Sequence, residues 1–80
     1  MSSGGVLIIE DEQVLAKKIA KYLAMKSFDV RVAHNGREGL DEMARFFPEA
    51  ILLDYNLPGD LNGLQVLDQV LKFDSGTKVI

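Results

Sequence analysis

The chain contains no cysteine and no tryptophan, and it has one histidine and two prolines among its 80 residues. Without cysteine there is neither a disulfide scaffold nor a thiolate metal site, which fits a reducing compartment without demanding one. No apolar run approaches the ~20 residues that a membrane span requires; a representative stretch is Val6-Leu7-Ile8-Ile9. Met1-Ser2-Ser3-Gly4-Gly5 has neither the basic nor the apolar region of a secretory signal. Residues 1–5 therefore read as a flexible leader, and the expected location is the cytoplasm. Basic charge is also scarce: 9 Lys and Arg stand against 12 Asp and Glu, for a net charge of −3. Phosphate contacts need clustered cations, so nucleic acid is not expected as a direct partner of this segment, and with such short apolar runs no membrane is expected either.

What is present belongs to an ordinary globular domain. Hydrophobic residues make up 48% and charged residues 26%, too apolar a mixture for a disordered tail. A chain this short buries only about 60% of its unfolded surface, so its core is thin. Val6–Ile9 is a continuous apolar run, as suits a strand buried on both faces. From Glu12 to Lys26, Leu15, Ile19 and Leu23 fall four apart with Ala16 and Ala20 beside them, which predicts an amphipathic helix. Lys17, Lys18 and Lys21 form its solvated face. Phe28, Val30 and Val32 alternate with polar residues as in a strand with one wetter face. Asn35-Gly36 signals a turn, and Gly36 to Phe46 reads as a second helix carrying Leu40 and Met43. Phe47-Pro48 ends it, because the residue before proline is pushed away from helical geometry. Phe46 and Phe47 are expected to pack into the core.

Ala50–Leu53 is another apolar strand, closed by Asp54, and Leu57-Pro58-Gly59-Asp60 is a loop. Leu64, Leu67, Val70 and Leu71 mark a third helix, ended near Ser75-Gly76, and Lys78-Val79-Ile80 begins a fourth strand. The order β-α-β-α-β-α-β with short connections predicts an α/β fold, a parallel, doubly wound sheet with helices on its faces. Such sheets place their chemistry at the carboxyl ends of strands, near the switch point of strand order.

Two strands end there in acid: Glu10-Asp11-Glu12 after the first, Asp54 after the third. If both strands are central and adjacent, three carboxylates converge and repel unless a cation sits among them. A hard divalent ion suits oxygen ligands, and Mg²⁺ fits best, since it takes one or two carboxylates, several waters and a substrate phosphate. A carboxylate so placed is able to attack a phosphoryl group and become an acyl phosphate. Each acid alone has an ordinary reading: Asp11 as cap of the following helix, Asp54 as a polar residue where a strand leaves the core. Their convergence favours the site. His34 has no second histidine or cysteine beside it, so an exposed loop residue is favoured over a ligand or a phosphorylated histidine. No Gly-rich phosphate loop follows the first strand.

The acidic pair after the first strand, Val32-Ala33-His34-Asn35-Gly36-Arg37-Glu38-Gly39-Leu40, Pro48-Glu49-Ala50-Ile51-Leu52-Leu53-Asp54, Asn56-Leu57-Pro58-Gly59 and Asn62-Gly63-Leu64 recur in one order and spacing. Together they resemble the receiver domain of two-component response regulators, from Val6 to Ile80. The resemblance implies a flavodoxin-like sheet, here the β-α-β-α-β-α-β portion of a five-strand (βα)5 fold. It implies Asp54 as phosphoacceptor, Asp11 as a direct Mg²⁺ ligand, Glu10 as a ligand through water, and the backbone carbonyl of Asn56 as a further one. Pro58 and Gly59 would shape the loop behind Asp54. The implied donor is a phosphohistidine on a sensor histidine kinase or phosphotransfer protein, or a small acyl phosphate. The first helix is where such kinases dock, which directs attention to Tyr22 and Met25. An output domain is implied in the parent protein, and the domain itself is not a conventional enzyme.

Two departures from the family pattern stand out. Four residues separate Pro58 from Gly63 where three are usual. The sequence also stops early in the fourth strand, before the family's Ser/Thr, Lys and switch aromatic. An 80-residue polypeptide is thus expected to switch poorly and to self-associate through an open edge strand. Two rival functions are a receiver-like scaffold without phosphorylation and a Mg²⁺-dependent aspartyl phosphotransferase or phosphatase. The latter typically carries an acid two residues after its nucleophile, where this chain has Asn56.

Overall fold

The computed structural model describes residues 4–54, 57, 59, 61–73 and 76–80. Asn56 and Pro58, both singled out above, lie outside the described residues, as does Ser75. The elements follow the expected order: β1 (Gly5–Ile9), α1 (Gln13–Met25), β2 (Asp29–Ala33), α2 (Gly36–Phe46), β3 (Ala50–Leu53), α3 (Gly63–Phe73) and β4 (Lys78–Val79). All pairings are parallel, in the order β2-β1-β3-β4. Strand order reverses between β1 and β3, and these two strands run side by side with Ile9 opposite Leu53.

β1 supplies both cores. Because side chains alternate across a strand, Leu7 and Ile9 join Ala33, Met43, Ile51, Leu57, Val66 and Val70 on the face covered by α2 and α3. Val6 and Ile8 join Ala16 on the face covered by α1, with Ile19, Ala20, Leu23, Phe28, Val30, Val32 and Leu52 packed around them. Burying each of the large β1 side chains contributes roughly 1.5–3 kcal/mol. This burial on two faces is why the run is apolar without alternation. No helix among the described residues is long and apolar enough to cross a membrane.

Several local expectations need correction. β1 starts at Gly5, one residue before the apolar run. The Gly4 carbonyl accepts from Asp29 N at 2.9 Å and the Gly5 carbonyl from Glu49 N at 2.9 Å, so the last two residues of the supposed leader are tied to the sheet. In α1, Leu15 lies on the exposed rim, and the buried contact is made by the smaller Ala16. The phase of α3 is also shifted: Val66 and Val70 are buried, Leu64 is 64% exposed and Leu71 is exposed. Phe46 is half-buried, with the Arg31 guanidinium 5.3 Å from its ring centroid. Phe47, expected in the core, is 68% exposed. It is the left-handed C-cap of α2 (φ 49°, ψ 61°), and this reversal ahead of buried Pro48 turns its ring outward.

The two Asn-Gly steps prove to be helix starts. Asn35 Oδ1 accepts from Glu38 N at 2.9 Å, and Asn35 Nδ2 donates to Glu38 Oε2 at 2.8 Å. Asn62 and Gln65 repeat the arrangement, each backbone N–H donating to the other's side-chain oxygen at 2.9 Å. These reciprocal caps satisfy N–H groups that a helix start otherwise leaves open. The caps set where α2 and α3 begin, and a Cβ at Gly36 would stand 2.7 Å from Val66 Cγ2. Only glycine lets the two helix starts approach so closely.

Candidate metal and phosphoacceptor site

The site is assembled by the last residues of β1 and β3. Ladder hydrogen bonds continue one residue past each strand: Glu10 N donates to the Ala33 carbonyl at 2.9 Å, and Asp54 N to the Ile9 carbonyl at 3.1 Å. Leu53 N donates to the Ile80 carbonyl at 2.9 Å, fixing β3 from its other side as well. Glu10 and Asp54 are therefore held by sheet geometry where the apolar runs end. Glu10 and Asp54 are half-buried and Asp11 is exposed.

Glu10, Asp11 and Asp54 each bring one carboxylate oxygen to within 4.8 Å of the others. The sequence expectation of three converging acids is met by these residues. Glu12 occupies the N-cap position of α1, with no side-chain cap hydrogen bond. Asp11 is thus not the cap of α1.

The electrostatics follow from this crowding. Glu10 titrates above the usual carboxylate range, chiefly because burial disfavours its charge. Hydrogen bonding with Asp11 and both charge and hydrogen bonding at Asp54 push the same way, while the Glu12 N–H, donating to Glu10 Oε2 at 3.2 Å, works against them. Three carboxylates gathered at one point form an oxygen-only donor set suited to a hard cation. The backbone carbonyl expected from Asn56 lies outside the described residues.

One neighbour was not legible. His34, expected to be an exposed loop residue, is half-buried, with Nδ1 3.3 Å from the Glu10 carbonyl oxygen. The available clue was positional: His34 follows Ala33, the last residue of the strand beside β1. On the α1 side of the sheet, Ile8, Ile19, Leu52, Leu53 and Ile80 line an apolar recess of about 230 Å³ reaching Glu10 and Asp54.

Residues 6–80 match the response regulator receiver domain family. YkoG, an uncharacterized transcriptional regulatory protein of Bacillus subtilis, is 44% identical over 80 residues, covering 100% of this chain and 35% of its own length. The DNA-binding response regulator MtrA of Mycolicibacterium paratuberculosis is 33% identical over 75 residues, 94% of this chain and 32% of its own. The chain thus spans about a third of the length of these curated relatives. A CheY-like receiver domain protein from Methanospirillum hungatei superposes with a TM-score of 0.89 at 27% identity, over 94% of this chain and 59% of that one. With the sheet order, the acids at the ends of β1 and β3 and a sequence match from Val6 to Ile80 in agreement, this chain belongs to the response regulator receiver domain family.

Proposed function

We propose that this chain is the phosphoacceptor module of a two-component response regulator, with Asp54 receiving a phosphoryl group. The observation that carries the reading is the convergence of three carboxylates from two strands within 4.8 Å, with Asp11 not serving as the helix cap. Three acids so close are costly without a cation, and their oxygen-only chemistry fits Mg²⁺. Asp11 and Asp54 would hold the ion directly and Glu10 through a water, with the Asn56 carbonyl as the family's further ligand. Bound Mg²⁺ would supply the positive charge that lets an anionic nucleophile meet an anionic donor.

The chain's own residues supply the rest. An Asp54 carboxylate oxygen attacks phosphorus as the bond from phosphorus to the donor's histidine nitrogen breaks. The electron pair stays on that nitrogen, the imidazole takes up a proton, and Asp54 carries an acyl phosphate. The ladder bond from Asp54 N to the Ile9 carbonyl fixes the backbone that aims the carboxylate. The domain takes part in its own phosphorylation and is otherwise a signalling module of the cytoplasm, partnered by a sensor histidine kinase or phosphotransfer protein. The names of YkoG and MtrA support transcriptional control through an output domain in the parent protein.

Beryllofluoride, an acyl-phosphate mimic, tests this reading when added with Mg²⁺. The wild-type chain should show amide shifts centred on Asp54, and Asp54→Ala should show none. An equal response from both proteins sinks the assignment.

A further inference from the structure

We propose that His34 is a positioning residue for the acidic cluster, holding the peptide between Glu10 and Asp11 through a hydrogen bond from its ring. The inference rests on the metal-assisted reading of that cluster.

Backbone pairing between β1 and β2 ends at Ile9 opposite Ala33. The next link is the Glu10 N–H donating to the Ala33 carbonyl at 2.9 Å. On the other side of Glu10, its carbonyl meets the His34 ring, with Nδ1 at 3.3 Å. A carbonyl oxygen only accepts, so Nδ1 carries the hydrogen in this contact. Both polar backbone groups of Glu10 are therefore tied to the end of β2, 24 residues away in sequence in the case of His34.

The placement matters because of what shares that peptide. The Glu10 carbonyl and the Asp11 N–H lie in one rigid plane, so a bond that fixes the carbonyl also fixes the direction in which Asp11 leaves the strand. Asp11 is the exposed member of the cluster, on a turn rather than a strand. Glu12 N then donates back to Glu10 Oε2 at 3.2 Å, so the turn closes on the residue that His34 holds. Water would satisfy the carbonyl equally well if the ring were removed, but water would not fix the plane. The contribution of His34 is orientation, and it should appear in metal affinity more than in stability.

The test titrates Mg²⁺ into the full chain and follows amide shifts in wild type, His34→Ala, His34→Asn and His34→Gln. Groups just outside a metal's ligands typically change affinity by 10–100-fold, and His34→Ala should weaken Mg²⁺ by about 10-fold. Amide exchange at Asp11 and Glu12 should quicken, with little change in the unfolding midpoint. The Asn side chain places an N–H donor near the original Nδ1 and should recover most of the affinity. Gln places its donor farther out and should not. Unchanged Mg²⁺ affinity in His34→Ala, or Asn no better than Gln, overturns the proposal; the second comparison decides if the alanine variant fails to fold. No Mg²⁺ response from wild type would overturn the metal reading instead. Exchange in Mg²⁺-free buffer then judges the hydrogen bond: faster in His34→Gln than in His34→Asn supports it, and equal rates refute it.

Discussion

Adding one methyl group to the helix behind the acidic strand should be felt directly beneath the site. Gly39 lies on α2 against Ile9, the residue immediately before Glu10. A Cβ at position 39 would stand 2.5 Å from Ile9 Cδ1, 3.0 Å from Cγ1 and 3.3 Å from Cγ2. Ile9 is 1% exposed, so moving Cδ1 aside drives it into packed neighbours. Two effects oppose each other in Gly39→Ala. Helix propensity favours alanine by about 1 kcal/mol, while overpacking a core costs about 1–3 kcal/mol. Overpacking wins, and the expected net loss is up to about 2 kcal/mol, each kcal/mol lowering Tm by roughly 4–8 °C in a domain this small. Ile9→Val removes Cδ1 and alone costs about 0.5–1.5 kcal/mol. In the double variant the new methyl takes up much of the vacated space, so it should be more stable than the sum of the singles by about 1–2 kcal/mol. Urea unfolding of the four proteins measures this coupling. Additivity within about 0.5 kcal/mol would refute the close approach of α2 to β1.

Glu10 ties stability to pH with a sign opposite to that of an ordinary salt-bridged acid. Its native titration is raised, so the native state binds the proton more tightly than the unfolded chain. The resulting penalty is absent below the ordinary carboxylate value, grows as pH rises through it, and is complete above the native value. Glu10→Gln, in Mg²⁺-free buffer, should therefore gain stability relative to wild type as pH rises above the ordinary carboxylate value; urea midpoints showing a flat or reversed difference would contradict this. Asn35→Ala removes the cap of α2 and should cost about 1 kcal/mol by thermal unfolding.

The strands were legible because burial on both faces leaves no room for polar alternation, as in Val6–Ile9 and Ala50–Leu53. The acids followed from where those runs stop, and their convergence needed only that β1 and β3 be neighbours. The phase of α3 was harder. Apolar residues at 64, 66, 67, 70 and 71 span roughly 160° of the helix circumference, so periodicity alone left open which edge of that arc packs inward. Packing against α2 chose Val66 and Val70. Phe47 was misread because hydrophobicity was weighed without the left-handed cap that turns its ring outward. The role of Asn35 was half seen: Asn-Gly marked a break, but the reciprocal bond with Glu38 makes it a helix start. His34 depended on a contact 24 residues distant, which local pattern does not encode.

Phosphoryl acceptance by Asp54, as proposed, leaves a covalent mark that is open to direct detection. Incubating the chain with Mg²⁺ and a small acyl phosphate, then mapping the adduct by mass spectrometry, tests it most directly. One phosphoryl group is expected on Asp54, labile to hydroxylamine as an acyl phosphate is, and lost in Asp54→Asn or when Mg²⁺ is chelated. An adduct on another residue, or one that persists in Asp54→Asn, would contradict it.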